Sequence, residues 1–202
     1  MFSPPPKPRF SELILKALAD YEARAREAAI ALTTAEAVRL RKACLEDWRV
    51  LCAYRWPFPA AADEAGAKRE IRRIIAWQRT HDLYLICEKE SGLPIGFAGL
   101  ERIKPHVHRV SCLVIAPAHR LRGYGGQAMR LLENISAAQD GRELFYAAAD
   151  ANHAGCALAA FCGFALHHTE DIRNPGDKPP CAIRIYCKKL QPPVSRSMLP
   201  PV

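Results

Sequence analysis

Arg120-Leu121-Arg122-Gly123-Tyr124-Gly125-Gly126 is the stretch of this 202-residue chain whose residue types point most directly to chemistry. Leu113, Val114 and Ile115 form an apolar run before it that stops at Pro117, and helical spacing follows it. The pattern reads as strand, tight turn, helix. Glycine takes positive φ and lets a ligand approach the backbone closely. A helix N-terminus carries amides without internal partners and a partial positive charge. With Arg120 and Arg122 adding full charges, the loop is built for a diphosphate. The plain alternative is a turn with glycines for geometry and arginines for solubility. No Lys-Ser/Thr follows the glycines, which excludes a Walker A loop, and the spacing is not G-x-G-x-x-G, which argues against a dinucleotide fingerprint.

Ile115-x-Pro117-x-x-Arg120-x-x-Gly123-x-Gly125 resembles the acyl-CoA pyrophosphate loop of the GNAT acetyltransferase superfamily. The hydrophobic residue two before Pro, the Arg three after it and both glycines match. A second segment is similar to the family's N-x-x-A-x-x-L-Y-x-x-x-G-F run, with Asn152, Leu158, Gly163 and Phe164 at the matching positions. The resemblance implies an α/β fold, a mixed central β-sheet flanked by helices, with acetyl-CoA as co-substrate. It implies that the backbone of Leu113, Val114 and Ile115 pairs with pantetheine, that Leu121 to Gly126 hold the diphosphate, and that Asn152 bonds the pantetheine arm. Asn152 also reads as a helix N-cap, and the two roles can coexist.

The elements that must position these residues follow from periodicity. Val38 to Lys42 alternates as a strand, and V-R-L-R-K-A-C-L-E-D-W resembles the opening strand and helix of many GNAT enzymes. Leu45, Trp48, Leu51, Cys52 and Arg55 follow helical spacing up to Pro57. A further helix is expected over 64–79, with Lys68, Arg69, Arg72, Arg73 and Arg79 on a basic face. Strands are expected at 83–88, 95–100, 109–115, 143–149, 164–169 and 181–189, the first two as a hairpin through Ser91-Gly92-Leu93-Pro94. Helices are expected after Gly126, ending at Gly141, and over 153–162. The order β-α-α-β-β-β-α-β-α-β-β resembles the GNAT order over residues 37–190.

Residues 1–36 read as a Pro-rich tail and an extra amphipathic helix from Ser11 to Leu32, and residues 191–202 as a disordered tail. The apolar stripe of the extra helix must be buried, against the body or against a second copy in a homodimer. Half of the chain is hydrophobic and a quarter charged, the balance of one soluble domain with tails. No apolar run suits a membrane span or a secretory signal, which points to the cytoplasm. The net charge is +8. That suits an anionic co-substrate and is too unpatterned to argue for nucleic acid. The eight cysteines form no C-x-x-C and read as buried free thiols. Neither His106-x-His108 nor His167-His168 has a second cluster at metal spacing, so no metal is expected.

Acetyl transfer to an amine needs a polarised thioester carbonyl, a neutral amine and a proton donor for the leaving thiolate. The usual general acid of the family, a Tyr, falls at Ala159 here, and the usual Ala falls at Gly155. Tyr146, Cys162 or water are the substitutes. Glu101, at the end of the 95–101 strand, is the candidate base, with His106 and His108 as competitors. The acceptor would sit between the loop at 56–63 and the loop at 170–180. Three readings follow: direct transfer to a primary amine of a small molecule or of a protein N-terminus or lysine; a non-catalytic acyl-CoA-binding module, suggested by Ala159; or a transferase directed at RNA or ribosomal protein, suggested by the basic helix.

Overall fold

The computed structural model describes residues 35–47, 49–50, 63–66, 68–69, 72, 81–172 and 181–191. The expected helix at 11–32, most of the stretch 48–80, the loop at 174–180 and the tail from 192 lie outside these residues. Residues 49–50, 64–66, 68–69 and 72 are helical, as their spacing predicts. Leu45–Asp47 is a single 3-10 turn, which makes the start of the expected helix tighter than an α-helix.

Seven strands form one sheet in the order β1-β2-β3-β4-β5-β7-β6. They are β1 (Val38–Lys42), β2 (His81–Glu88), β3 (Pro94–Lys104), β4 (Val107–Ile115), β5 (Glu143–Ala149), β6 (Ala165–Ile172) and β7 (Cys181–Lys189). Neighbours pair antiparallel except β4 and β5, which are parallel. That parallel pair requires a crossover, supplied by helix α1 (Tyr124–Ala138). Helix α2 (His153–Phe161) connects β5 to β6. The β3 and β4 strands run longer than their alternation suggests because they close as a tight hairpin at Pro105-His106, with His106 in the left-handed region at φ 62°.

Two apolar layers cover the sheet. On one face α1 contributes Ala128, Met129, Leu132 and Ile135 against Val38, Leu40, Ile86, Ala98, Leu100, Val110 and Leu144. On the other, Leu83, Leu85, Cys87, Phe97 and Cys112 pack with Leu45, Val50 and Val114. The seven described cysteines are free: Cys87, Cys112 and Cys162 are buried, while Cys44, Cys156, Cys181 and Cys187 are only half-buried. Among the described residues no helix is long and apolar enough to cross a membrane.

The end of α1 departs from the expected glycine cap. Asp140, not Gly141, takes the left-handed conformation, at φ 63°. Gly141 is needed for space instead: a Cβ there would lie 2.3 Å from Ser136 Oγ and 2.9 Å from His108 Nδ1. His108 is buried at 1% exposure, with Nδ1 2.7 Å from Ser136 Oγ and Nε2 without a hydrogen-bond partner among the described residues.

Burial, seconded by Arg102 and opposed by Asp140, holds the His108 imidazole below its ordinary value of 6.5. The unfolded chain therefore takes up this proton first as pH falls. His108 favours the folded state at neutral pH, and that contribution is lost from about pH 6.5 downward until the folded value is passed. The urea midpoint is expected to fall between about pH 7.5 and about pH 5.5, and less steeply in His108→Leu. An equal slope in both proteins would remove His108 as the cause.

Candidate functional site

The site begins where β4 and β5 part. They pair from Val107↔Glu143 to Val110↔Tyr146 and no further. Beyond that point β4 runs on through Ile115 and β5 through Ala149 without pairing, leaving a wedge between them. The cause lies in β4. Gly99 faces Cys112 while Leu100 faces Val110, so Ser111 is an extra residue, a β-bulge. A bulge bends and twists its strand, and this one falls directly after the last β4–β5 pair. The outer half of β4 stays attached to β3, where a Cβ on Gly96 would lie 2.1 Å from the Val114 carbonyl oxygen. Backbone groups on the wedge side of β4 are thus left without a strand partner.

The glycine loop lies at the mouth of this wedge. Gly123, at φ 78°, is the N-cap of α1, and no side chain caps the helix. The amides of the first turn are therefore left for an external acceptor. Leu121 is fully exposed and also left-handed, at φ 61°. Arg122 is exposed. Arg120 does more than supply charge: its Nε donates to the Ile115 carbonyl at 3.0 Å, tying the loop to the end of β4. The Tyr124 hydroxyl donates to Glu88 Oε1 at 3.1 Å, so its side chain anchors α1 to β2. The Ser91 and Tyr124 hydroxyls hold the Glu88 carboxyl below the usual range. A Cβ on Gly125 would lie 3.7 Å from Leu158 and 3.8 Å from Leu113, so α1, α2 and β4 converge there, and Gly126 abuts Phe161. Leu113 and Ile115 lean on the α1 side of the sheet, Val114 on the other.

Asn152 caps α2, accepting from the Gly155 amide at 3.0 Å. Gly155 and Ala159 lie one turn apart on the same face of this helix, both buried against the sheet. Tyr146 rises from β5 toward that face. A Cβ on Gly155 would lie 3.0 Å from the Tyr146 hydroxyl oxygen. Tyr146 is 7% exposed. Burial first, then the thiols of Cys156 and Cys162, push its phenol up to about 12. It is therefore a protonated donor at neutral pH. Burial also raises Cys162.

On the opposite face of the sheet, His81, Glu101 and Arg109 stand in one row across β2, β3 and β4. Arg109 Nε donates to Glu101 Oε2 at 3.0 Å. Glu101 Oε1 is 3.9 Å from His81 Nδ1. His81 Nε2 is 2.8 Å from the hydroxyl of Ser111, the bulge residue. Gly99 makes room for that hydroxyl, since a Cβ there would lie 2.2 Å from Ser111 Oγ. The competing histidines are elsewhere. His106 sits at the β3–β4 turn beside Asp140 Oδ2 at 2.8 Å, and His108 is sealed under α1.

With this geometry in hand, comparison with known proteins decides the family. The sequence profile of the acetyltransferase (GNAT) family matches residues 45–164. The chain belongs to the GNAT acetyltransferase family. No curated protein matches it in sequence. Its fold is similar to that of a probable GNAT-family acetyltransferase from Chromobacterium violaceum ATCC 12472, at 20% identity and TM-score 0.65 over 78% of this chain and 85% of that one. An acetyltransferase from Salmonella typhimurium that modifies the N-terminal serine of a 50S ribosomal subunit protein gives 16%, 0.67, 78% and 97%. Spermidine N-acetyltransferase from Vibrio cholerae, in complex with CoA and spermine, gives 13%, 0.65, 75% and 95%.

This GNAT protein is thus an acyltransferase that uses acetyl-CoA as co-substrate. Its wedge, uncapped helix and glycine loop fit a long ligand with an anionic end. Of the two residues that the sequence offers as base and acid, Glu101 lies on β3 on the sheet face away from α1, and Tyr146 lies on β5 on the α1 side. The contact between His81 and Ser111 was not read from the sequence, whose partial signal was a polar Ser between Val110 and Cys112.

Gly99→Ala is expected to displace the Ser111 hydroxyl and break its bond to His81, costing about 1–3 kcal/mol as overpacking. Chemical denaturation measures the cost. A stability equal to that of the parent would mean that the bulge yields freely.

Proposed function

We propose that this GNAT enzyme moves the acetyl group of acetyl-CoA directly onto a primary amine, in a ternary complex, without an acetyl-enzyme intermediate. The observation that carries the reading is the wedge between β4 and β5 with the uncapped N-terminus of α1 at its mouth. The amides of Leu121 to Gly126, with Arg120 and Arg122 beside them, would hold the diphosphate. The wedge-side backbone groups of the stretch Leu113, Val114 and Ile115, whose Ile115 carbonyl is held by Arg120, would pair with the pantetheine arm, and Asn152 would bond it from the start of α2. The thioester would then lie at the apex, where a β4 amide can polarise its carbonyl.

The chemistry follows. A lysine-like amine is charged at neutral pH, and freeing its lone pair costs ~4–5 kcal/mol. A proton acceptor beside the apex lowers that cost, and Glu101 stands on the side away from α1 and α2. The nitrogen attacks the carbonyl carbon, the C–S bond breaks, and sulfur leaves as a thiolate. Tyr146, protonated and on the α2 side, would supply the proton to sulfur. The acceptors named for two similar structures, an N-terminal serine and spermidine, both present primary amines, which supports this acceptor class. The alternative acceptor, an RNA or a ribosomal protein, has in its support the exposed Arg69 and Arg72 on the helical stretch after residue 63.

Gly125→Glu is expected to abolish acetyl-CoA binding measured by calorimetry, by crowding Leu158 and Leu113 and placing a negative charge in the loop. Unchanged affinity would sink the loop assignment. Tyr146→Phe is expected to lower kcat by about 10²-fold with the acetyl-CoA dissociation constant unchanged. Full activity in that variant would remove Tyr146 as the acid.

A further inference from the structure

We propose that Ser111 and His81 form the path by which the attacking amine loses its proton, with Glu101 as the positioning residue behind them. This rests on the transferase reading above and names residues that it lacks. Ser111 is the residue expelled by the bulge, and it is the first residue of β4 past the last β5 pair. On that reading the acyl group arrives at this point. Three features hold its hydroxyl in place. Gly99 leaves the space, His81 Nε2 lies 2.8 Å away, and the buried Cys112 thiol is a further hydrogen-bond neighbour of the hydroxyl.

The row behind His81 is ordered by charge. Arg109 occupies Oε2 of Glu101, and Oε1 faces His81 Nδ1 at 3.9 Å, beyond hydrogen-bond distance but with its negative charge on the Nδ1 side of the ring. That charge favours the tautomer with the proton on Nδ1, which leaves Nε2 free to accept from the Ser111 hydroxyl. The side chains of His81 and Glu101 are 21% and 23% exposed, so the array is reachable from solvent and still partly shielded. Acceptor, orienting carboxylate and hydroxyl thus stand in the order of an activated-hydroxyl site.

The step balances as follows. The bound ammonium first gives one proton to Ser111 Oγ as the hydroxyl proton passes to His81 Nε2, and the imidazolium, beside Glu101, releases it to solvent. The neutral nitrogen then forms the C–N bond, the C–S electron pair leaves on sulfur, and the second proton shed by nitrogen follows the same path. The thiolate takes a proton from Tyr146, whose phenolate recovers one from solvent. Ser111 carries a proton and forms no bond to carbon.

Two arms test this. The first uses spermidine and a serine-initiated peptide as probe acceptors. Ser111→Ala and His81→Gln are expected to lose 10²-fold or more in kcat, with KM for acetyl-CoA unchanged. Added imidazole is expected to restore part of the activity of His81→Gly and none to Ser111→Ala. Losses below about threefold, an absence of rescue, or an acetyl group found on Ser111 by mass spectrometry would overturn the proposal. The second arm needs no acceptor. The His81 imidazole NMR signals, assigned by their loss in His81→Gln, are expected to move on adding acetyl-CoA and not on adding adenosine 3′,5′-diphosphate, which lacks the acyl arm. Acetyl-CoA binding with those signals unmoved overturns the proposal and leaves the transferase reading intact. No binding at all defeats the transferase reading, and the proposal with it. If neither probe amine is acetylated, this arm decides alone.

Discussion

A single extra residue in β4 governs the geometry of this molecule. Strands β4 and β5 run parallel and in register up to Val110↔Tyr146, and the bulge at Ser111 comes next. From there β4 follows β3 and leaves β5. Two glycines of β3 make this possible in different ways. Gly96 allows the β3 backbone to approach the Val114 carbonyl, and Gly99 gives the displaced Ser111 side chain somewhere to go. A side chain at the first would meet the Val114 carbonyl, and a side chain at the second would meet the Ser111 hydroxyl. The wedge is therefore a property of three strands, although only two of them border it.

Helix α1 carries two demands that pull against each other. Its middle must fill the core with Met129, Leu132 and Ile135, and its first turn must stay uncapped at the wedge mouth. A helix start capped by Gly123 instead of a Ser, Thr, Asp or Asn side chain forgoes about 0.3 kcal/mol, and Leu121 in the left-handed region costs ~1–2 kcal/mol more. Contacts away from the loop amides offset these terms. Gln127 accepts from the Ala37 amide at 2.8 Å, Tyr124 bonds Glu88, and Lys188 joins Glu133 of α1 to the Cys162 carbonyl at the end of α2. The side chains around the first turn are thus used for anchoring, while its amides are kept free.

The sequence made most of the frame legible because the frame is periodic. Strands at 38–42, 143–149 and 181–189 have the bounds that their alternation suggests, and the glycine loop stands between a strand and a helix as its composition requires. What escaped depends on register. His81 and Ser111 are 30 positions apart and meet only because a bulge turns Ser111 toward His81. His106 and His108 looked equivalent to each other, yet one is a turn residue at φ 62° and the other a buried partner of Ser136. Gly141 looked like a helix cap and serves instead as a gap for Ser136 and His108. In each case residue type was readable and the neighbour was not, since the neighbour is set by pairing between distant segments.

The departures from the family pattern at 155 and 159 and the placement of Tyr146 form one arrangement. A Tyr at position 159 would stand on the face of α2 that meets the sheet, and here that position is a fully buried Ala. Tyr146 enters the same space from below, on β5, with its ring 6.4 Å from that of Phe164 and its hydroxyl beneath residue 155. An Ala at 155 would bring its Cβ to within 3.0 Å of that hydroxyl and 2.7 Å of Asn152 Nδ2, so glycine is the residue that spares both. A phenol reaching the helix from the strand thus requires a small residue at 159 and none at all at 155. On the proposed reading Tyr146 keeps a weak acid beside the wedge, held by β5 instead of α2, and the strand fixes its backbone by pairing to Val110 on one side and to Tyr186 on the other.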